Sequence, residues 1–123
     1  MDSRKENIIV KLSFEFALDI VTLSETLEEN RKYVIARQVL KSGTSIGANI
    51  REAQNAESKS DFIHKMKIAA KEVDETQYWL DIMDSSKGYP NCKTLIEKIN
   101  VIAKILNKII SSSKTSALKP LSN

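Results

Sequence analysis

The sequence predicts an all-α protein, an antiparallel four-helix bundle with up-down-up-down connections. Only three Gly and two Pro occur in 123 residues. Average usage would give roughly fifteen, and folds rich in sheets need these residues for their many turns. Apolar residues recur at spacings of three and four, which is the helical period. Because the length fits one domain with one core, we expect residues 1–113 to form a single bundle.

The first helix is predicted over residues 5–29. A second apolar set, Phe14, Leu18 and Val21, widens its inner stripe. A helix that is apolar on more than one side is expected to contact more than one neighbour. The inner stripe consists of Ile9, Leu12, Phe16, Ile20, Leu23 and Leu27.

The second helix is predicted over residues 32–56, and small residues interrupt its apolar face between Ser42 and Asn49. A glycine-rich phosphate loop is one interpretation, but the P-loop spacing and its lysine are missing. Gly43 and Gly47 each cost about 1 kcal/mol against alanine in a helix interior, so close helix packing is expected to offset them. The sequence therefore favours close packing over phosphate binding. The apolar face consists of Ile35, Val39, Ile46, Ile50 and Ala53.

The third helix is predicted over residues 58–86, and Gly88 with Pro90 marks its end. Its apolar residues alternate spacings of four and three over three heptads, which is typical of helices that pack at a shallow angle. This seam consists of Phe62, Met66, Ala69, Val73, Thr76, Leu80 and Met83.

The fourth helix is predicted over residues 91–112, with Asn91 as its N-cap. A run of three serines and then Pro120 follow it. Because few apolar residues occur there, residues 114–123 are predicted to be a flexible tail. The apolar positions of this helix are Leu95, Ile99, Ile102, Leu106 and Ile109.

Residue types that carry catalysis or bind metals are scarce. His64 is the only histidine and Cys92 the only cysteine, so one chain cannot build a zinc site. Asp61 and His64 have the spacing that di-iron bundles use, but a second such pair is missing. We therefore predict a protein without enzymatic activity, metal or cofactor.

Polar residues beside the apolar faces suggest a contact between the second and third helices. Ser45 and Asn49 flank one face and Glu75 flanks the other. Buried polar groups are costly unless they are hydrogen-bonded. We predict a structural pairing of Ser45 and Asn49 with Glu75 that fixes the register of the two helices.

Charge is distributed in blocks, although the whole chain carries only +3. Residues 1–30, 31–71, 72–86 and 87–123 carry net charges of −4, +6, −5 and +6. Solvated helix faces, contacts between subunits and a surface that neutralises phosphates remain open interpretations. For the last of these, the candidate nucleic-acid-binding residues are Arg37, Lys41, Arg51, Lys67 and Lys71.

Three runs of the sequence, Arg37–Ala53, Ser58–Glu72 and Glu75–Leu80, resemble one family. It comprises four-helix-bundle proteins encoded in intervening sequences of bacterial 23S ribosomal RNA genes. The accessory variability determinant protein of diversity-generating retroelements is in the same family. The most specific pattern is Ser-Ile-x-Ala-Asn-Ile-x-Glu at Ser45–Glu52. The resemblance implies a ring-shaped homopentamer without known enzymatic activity and a basic surface that binds nucleic acid.

Two functional hypotheses follow. The first is an oligomeric bundle that binds RNA or DNA through a basic helix face. The alternative is an oligomeric adaptor that binds another protein and no nucleic acid. A cytoplasmic location is expected for either, because a single cysteine fits a reducing compartment and the sequence has no apolar run of membrane-spanning length.

Overall fold

A computed structural model describes the backbone of residues 3–118 and the side chains of residues 8–115. Within that range the chain forms four α-helices: α1 (Ser3–Glu29), α2 (Tyr33–Ala53), α3 (Lys59–Ser85) and α4 (Lys93–Leu118). Each helix packs against the next along the chain, and α4 packs back against α1. The predicted all-α four-helix bundle is therefore confirmed. None of these helices is both long and apolar enough to span a membrane.

The connection between α2 and α3 begins earlier than the sequence predicts. α2 ends at Ala53 instead of residue 56, because the next amides bond to carbonyls three residues back. The N–H of Asn55 donates to the Glu52 carbonyl at 3.0 Å. Ser58 then caps α3, since its Oγ accepts the N–H of Asp61 at 3.0 Å.

The fourth helix begins two residues later than predicted and extends beyond the predicted end. Asn91 Oδ1 accepts the N–H of Lys93, the first residue of α4, at 2.9 Å. The serine run does not end the helix, which continues to Leu118, and Thr115 Oγ1 donates to the Ser111 carbonyl at 3.0 Å. Residues 114–118 of the predicted tail are thus helical. Residues 119–123 lie outside the described part of the chain.

The core is built from the predicted apolar faces of all four helices. Leu80 on α3 and Leu106 on α4 are completely buried. Along the α3 seam, every residue after Phe62 is buried, and Phe62 packs against the core from its edge. The largest fully buried side chains include Ile9, Phe16, Ile20, Leu27, Ile46, Ile50, Met66, Met83, Ile99 and Ile102.

Glycines bring α1 and α2 close together. A Cβ added to Gly43 would lie 2.9 Å from two side-chain carbons of Ile20. A Cβ on Gly47 would lie 3.3 Å from the backbone oxygen of Ser13. A carbon at 2.9 Å would overlap with its neighbours, and one at 3.3 Å would make an unusually tight contact. The small residues of α2 therefore serve close helix packing, as the sequence predicts.

A buried hydroxyl pair joins α2 to α3. Thr76 Oγ1 lies 2.8 Å from Ser42 Oγ and 2.7 Å from the Glu72 carbonyl. A hydroxyl has one proton and the carbonyl can only accept. Thr76 therefore donates to Glu72, and Ser42 donates to Thr76. Both side chains are completely buried, so this bond helps to fix the register of the two helices.

The register contact differs from the predicted pairing of Ser45 and Asn49 with Glu75. Ser45 Oγ donates to the Lys41 carbonyl at 2.6 Å, and Asn49 Nδ2 donates to the Ser45 carbonyl at 2.8 Å. Both residues lie at the partly exposed rim of α2, where the backbone of their own helix supplies acceptors. Glu75 is exposed. The interhelical bond forms three residues earlier, at Ser42, which faces the core.

Candidate nucleic-acid interface

The five predicted nucleic-acid-binding residues are all exposed, but they occupy different sides of the bundle. Arg51 lies toward α1, where its guanidinium carbon is 5.6 Å from the centroid of the Phe14 ring. This cation–π contact orients Arg51 away from α3. Arg37 lies one turn before Lys41 on the outer side of α2.

Between α2 and α3 the basic residues are interleaved with acids. Lys41 from α2 and Lys71 from α3 both act on the Glu72 carboxylate. Partial burial and the nearby Glu75 raise the pKa of Glu72, and the two lysines oppose that shift. Lys41 and Lys71 thus lie near the same carboxylate, which neutralises part of their field.

The same outer face carries a second mixed-charge cluster nearer the start of α3. Lys65 Nζ lies 3.8 Å from a carboxylate oxygen of Glu52 and 3.9 Å from one of Asp61. These pairs contribute little stability because they are largely solvated. They do reduce the positive potential of the α2–α3 face.

Lys67 lies on α3 and influences a lysine of α4. Interaction with the Lys67 side chain lowers the pKa of Lys114. Sequence reasoning missed Lys114 because it lies in the predicted tail. Residues 98–115 of α4 include four lysines and no acid. Helix α4 therefore adds the exposed Lys104, Lys108 and Lys114 to the outer surface of the bundle.

Helix α1 presents an apolar outer stripe, which we define as Phe14, Leu18 and Val21. Their side chains are 49%, 54% and 41% exposed. Within the stripe, Phe14 lies beside Gly47 and Arg51 of α2. Apolar side chains grouped on one helix face are typical of a surface that contacts another protein.

The remaining reactive side chains stand apart from one another. Among the described residues, no three His, Cys, Asp or Glu side chains group together to hold a metal ion. His64 is exposed. Burial raises the pKa of the Cys92 thiol to about 11, and the nearby Asp84 carboxylate contributes to this shift. At neutral pH this thiol is protonated and is a poor nucleophile.

Similarity to known proteins agrees with the fold and the sequence pattern. Residues 5–108 match the family described as 23S rRNA-intervening sequence protein. The chain belongs to this family. A comparison with curated proteins found no significant match to this chain.

A solved structure supports the membership. It is the crystal structure of a protein of unknown function from the S23 ribosomal protein family of Bacteroides thetaiotaomicron. The two chains are 42% identical and superpose with a TM-score of 0.83. The match covers 87% of the present family member and 98% of the Bacteroides chain.

Proposed function

We propose that this 23S rRNA-intervening sequence protein is a non-enzymatic, oligomeric four-helix bundle of the cytoplasm that binds RNA through basic helix faces. The observation that carries the proposal is the exposure of all five predicted basic residues, Arg37, Lys41, Arg51, Lys67 and Lys71. The family description names 23S rRNA, which makes RNA the first polyanion to test.

The expected mode of binding is electrostatic. Lysine and arginine side chains release condensed counterions when they neutralise phosphates, so affinity falls steeply with salt. The outer faces of α2 and α3 do not alternate cations with aromatic residues, a pattern that would stack bases. We therefore expect recognition of the RNA backbone and its shape, with little dependence on base sequence.

Fluorescence anisotropy with a structured RNA tests this proposal. Binding should appear at about 50 mM salt and weaken strongly at about 200 mM. The double variant R37A/K67A should weaken binding without altering the helical circular dichroism spectrum, because both side chains are exposed. Absence of binding at the lower salt concentration would refute the RNA-binding role.

Self-association is the second part of the proposal, and its support is the outer stripe of α1. The family resemblance implies a homopentamer, and a second copy of the chain would cover Phe14, Leu18 and Val21. Light scattering should then give five times the 13.8 kDa mass of one chain. The variant Leu18→Glu should reduce that mass, because it places a charge in an apolar contact. A wild-type mass of one chain would contradict this part.

An adaptor function is the alternative, and the outer stripe also favours it. If the wild-type protein assembles but binds neither RNA nor DNA at about 50 mM salt, where phosphate contacts are strong, the adaptor hypothesis replaces RNA binding. The variant Leu18→Glu should then abolish capture of the protein partner.

A further inference from the structure

We propose that the outer stripe of α1 is covered by the outer side of α3 from a second copy of the chain, in a head-to-tail contact. This inference rests on the proposed self-association and names the surface that completes it. The covering surface, which we call the acidic face, consists of the exposed residues Asp74, Glu75, Tyr78 and Asp81.

A ring of five identical chains needs two different contact surfaces on each chain. In a two-fold contact the same patch of both copies faces itself, and such a contact closes as a dimer. An odd-numbered ring is built from head-to-tail contacts, in which one patch meets a different patch of the next copy. The outer stripe therefore requires a second, complementary surface if it is to build the proposed pentamer.

The first surface is a shallow groove between α1 and α2, beside the outer stripe. Its volume is about 420 Å³, and its lining includes the small residues Ala17, Gly47 and Ala48. Phe14 also lines the groove, and the guanidinium carbon of Arg51 lies 5.6 Å from the centroid of the Phe14 ring. The small residues leave room beside Phe14 for a large side chain of a neighbouring copy, and Arg51 supplies donors for a carboxylate.

Positive charge surrounds the Phe14 end of this groove. Arg51 and Lys11 are both exposed, and Lys11 lies one turn before Phe14 on α1. Glu52 lines the groove as well, but its carboxylate is 3.8 Å from Lys65 Nζ on α3. An acidic surface is therefore the complementary neighbour for this end of the groove.

The second surface, the acidic face, has an aromatic ring at its centre. Tyr78 is 62% exposed, and Asp74 and Asp81 lie one turn before and one turn after it on the same side of α3. The Tyr78 and Trp79 rings meet edge to face with centroids 5.7 Å apart, which helps to hold Tyr78 in place. Residues 72–86 contain five acids and no lysine or arginine. An exposed ring flanked by acids thus complements an apolar groove with a basic end.

The charges farther along the two helices also agree with this contact. Glu25 lies one turn beyond Val21, at the far end of the outer stripe. Lys71 lies two turns before Tyr78, beyond the acidic face. With the acids near Arg51, a second copy can place Lys71 toward Glu25, so that opposite charges meet at both ends.

Two other exposed apolar side chains match the basic end of the groove less well. Val34 on α2 and Val101 on α4 are 65% and 50% exposed. Val34 lies one turn before Arg37, and Val101 has two lysines and one glutamate one turn away on α4. Basic neighbours of this kind would face Arg51 across the contact, and like charges there are unfavourable.

Light scattering of charge-reversed variants tests the inference. D74K/D81K reverses the acidic face and leaves the groove intact, and it should give the mass of a single chain at concentrations where the wild type is assembled. E29K/E57K is the matched control, because it makes the same change in net charge at two other exposed acids. The control should keep the wild-type mass. Both variants should keep the helical circular dichroism spectrum, since all four side chains are exposed.

Mixing D74K/D81K with Leu18→Glu distinguishes a head-to-tail contact from a self-facing one. Each variant alone should have the mass of one 13.8 kDa chain, whereas the mixture should form complexes of at least two chains. The intact groove of D74K/D81K can still receive the intact acidic face of Leu18→Glu. Because the open complex lacks the added affinity of a closed ring, the mixture is measured at up to about 1 mM of each chain, where a contact with a Kd near 1 mM is detectable.

The outcomes separate this inference from the proposed function. If the wild type assembles and D74K/D81K keeps the wild-type mass, the acidic face is not the partner of the outer stripe and self-association stands. A mixture that stays at the mass of one chain, or an equal loss of mass in E29K/E57K, also overturns the inference. If the wild type itself has the mass of one chain, the proposed self-association and this inference both fall.

Discussion

The two helix pairs of the bundle, α1–α2 and α3–α4, have similar interiors and different exteriors. Both pairs bury apolar side chains at helical spacing. The α1–α2 pair approaches closely at Gly43 and Ile20 and carries the exposed outer stripe of α1. The exterior of the α3–α4 pair carries the exposed Lys67, Lys104 and Lys108 and the Gln77–Asn100 hydrogen bond.

This difference shows which part of a helix specifies the fold and which part specifies contacts with other molecules. The inner faces must exclude water, so their chemistry is the same in both pairs. The outer faces are free to differ. An apolar exterior favours a protein neighbour, whereas a basic exterior favours a polyanion.

The largest expected effect contrasts two leucines, one on each type of surface. Leu80 is completely buried on α3, and Leu18 is 54% exposed on α1. Leu80→Ala should lower the free energy of unfolding by about 2–5 kcal/mol through lost burial and a cavity. Leu18→Ala should change it by less than about 0.5 kcal/mol at protein concentrations where the chain is monomeric.

Urea unfolding monitored by circular dichroism at several protein concentrations measures both leucine variants. If the outer stripe binds a second copy, Leu18→Ala should lose stability as protein concentration rises relative to the wild type. Equal losses for Leu80→Ala and Leu18→Ala at low concentration would contradict the distinction between inner and outer faces.

The next largest effect is expected at the Ser42–Thr76 hydrogen bond, which joins the α1–α2 pair to the α3–α4 pair. Thr76→Val removes the hydroxyl that accepts from the buried Ser42, and we expect a loss of about 1–3 kcal/mol. The double variant S42A/T76V removes both polar groups and should recover part of this loss. Chemical denaturation of the two single variants and the double variant gives the coupling energy. A coupling near zero would show that the bond does not stabilise the α2–α3 contact.

A smaller effect is expected where α1 and α2 approach each other. Gly43→Ala places a Cβ 2.9 Å from two branched carbons of Ile20. Overpacking costs typically about 1–3 kcal/mol, and the higher helix propensity of alanine returns about 1 kcal/mol, so a net loss of about 0–2 kcal/mol is expected. Gly47→Ala is the matched control, since its Cβ would lie 3.3 Å from Ser13. Thermal unfolding should rank Gly43→Ala as the less stable variant.

The sequence predicts the fold well because helical periodicity encodes burial directly. The α3 seam from Met66 to Met83 is buried as its spacing indicates. Register is harder to predict, because it depends on which of several nearby polar residues faces the neighbouring helix. Ser42 and Ser45 are less than one turn apart, and only Ser42 points to the core.

The candidate interface is only partly predictable for a similar reason. Exposure of Arg37, Lys41, Arg51, Lys67 and Lys71 follows from their positions on the helices. The residues that lie near them on adjacent helices cannot be predicted in this way, because these depend on the antiparallel register and on where α4 ends. Lys114 is part of a helix because α4 continues past its serine run to Leu118.

The smallest expected effect lies in the connection between α1 and α2. Arg31 adopts a φ of 61°, the left-handed conformation that glycine usually supplies at a helix end. The following amide, Lys32 N–H, donates to the Leu27 carbonyl at 2.8 Å and closes the helix. Arg31→Gly should relieve the strain and stabilise the protein by about 0.5–1 kcal/mol, which corresponds to about 2–4 °C in Tm.

The same variant sharpens the contrast between the two helix pairs, because it removes a positive charge from the α1–α2 end only. If RNA is held by the exposed lysines of α3 and α4, Arg31→Gly should raise the Tm and leave RNA affinity within about twofold, since charges beyond a Debye length are screened. Calorimetry and anisotropy on one preparation measure both quantities. A higher Tm together with a tenfold weaker RNA complex would instead make Arg31 a phosphate contact. Its strained backbone would then be retained for binding, and the positive surface would extend to both helix pairs.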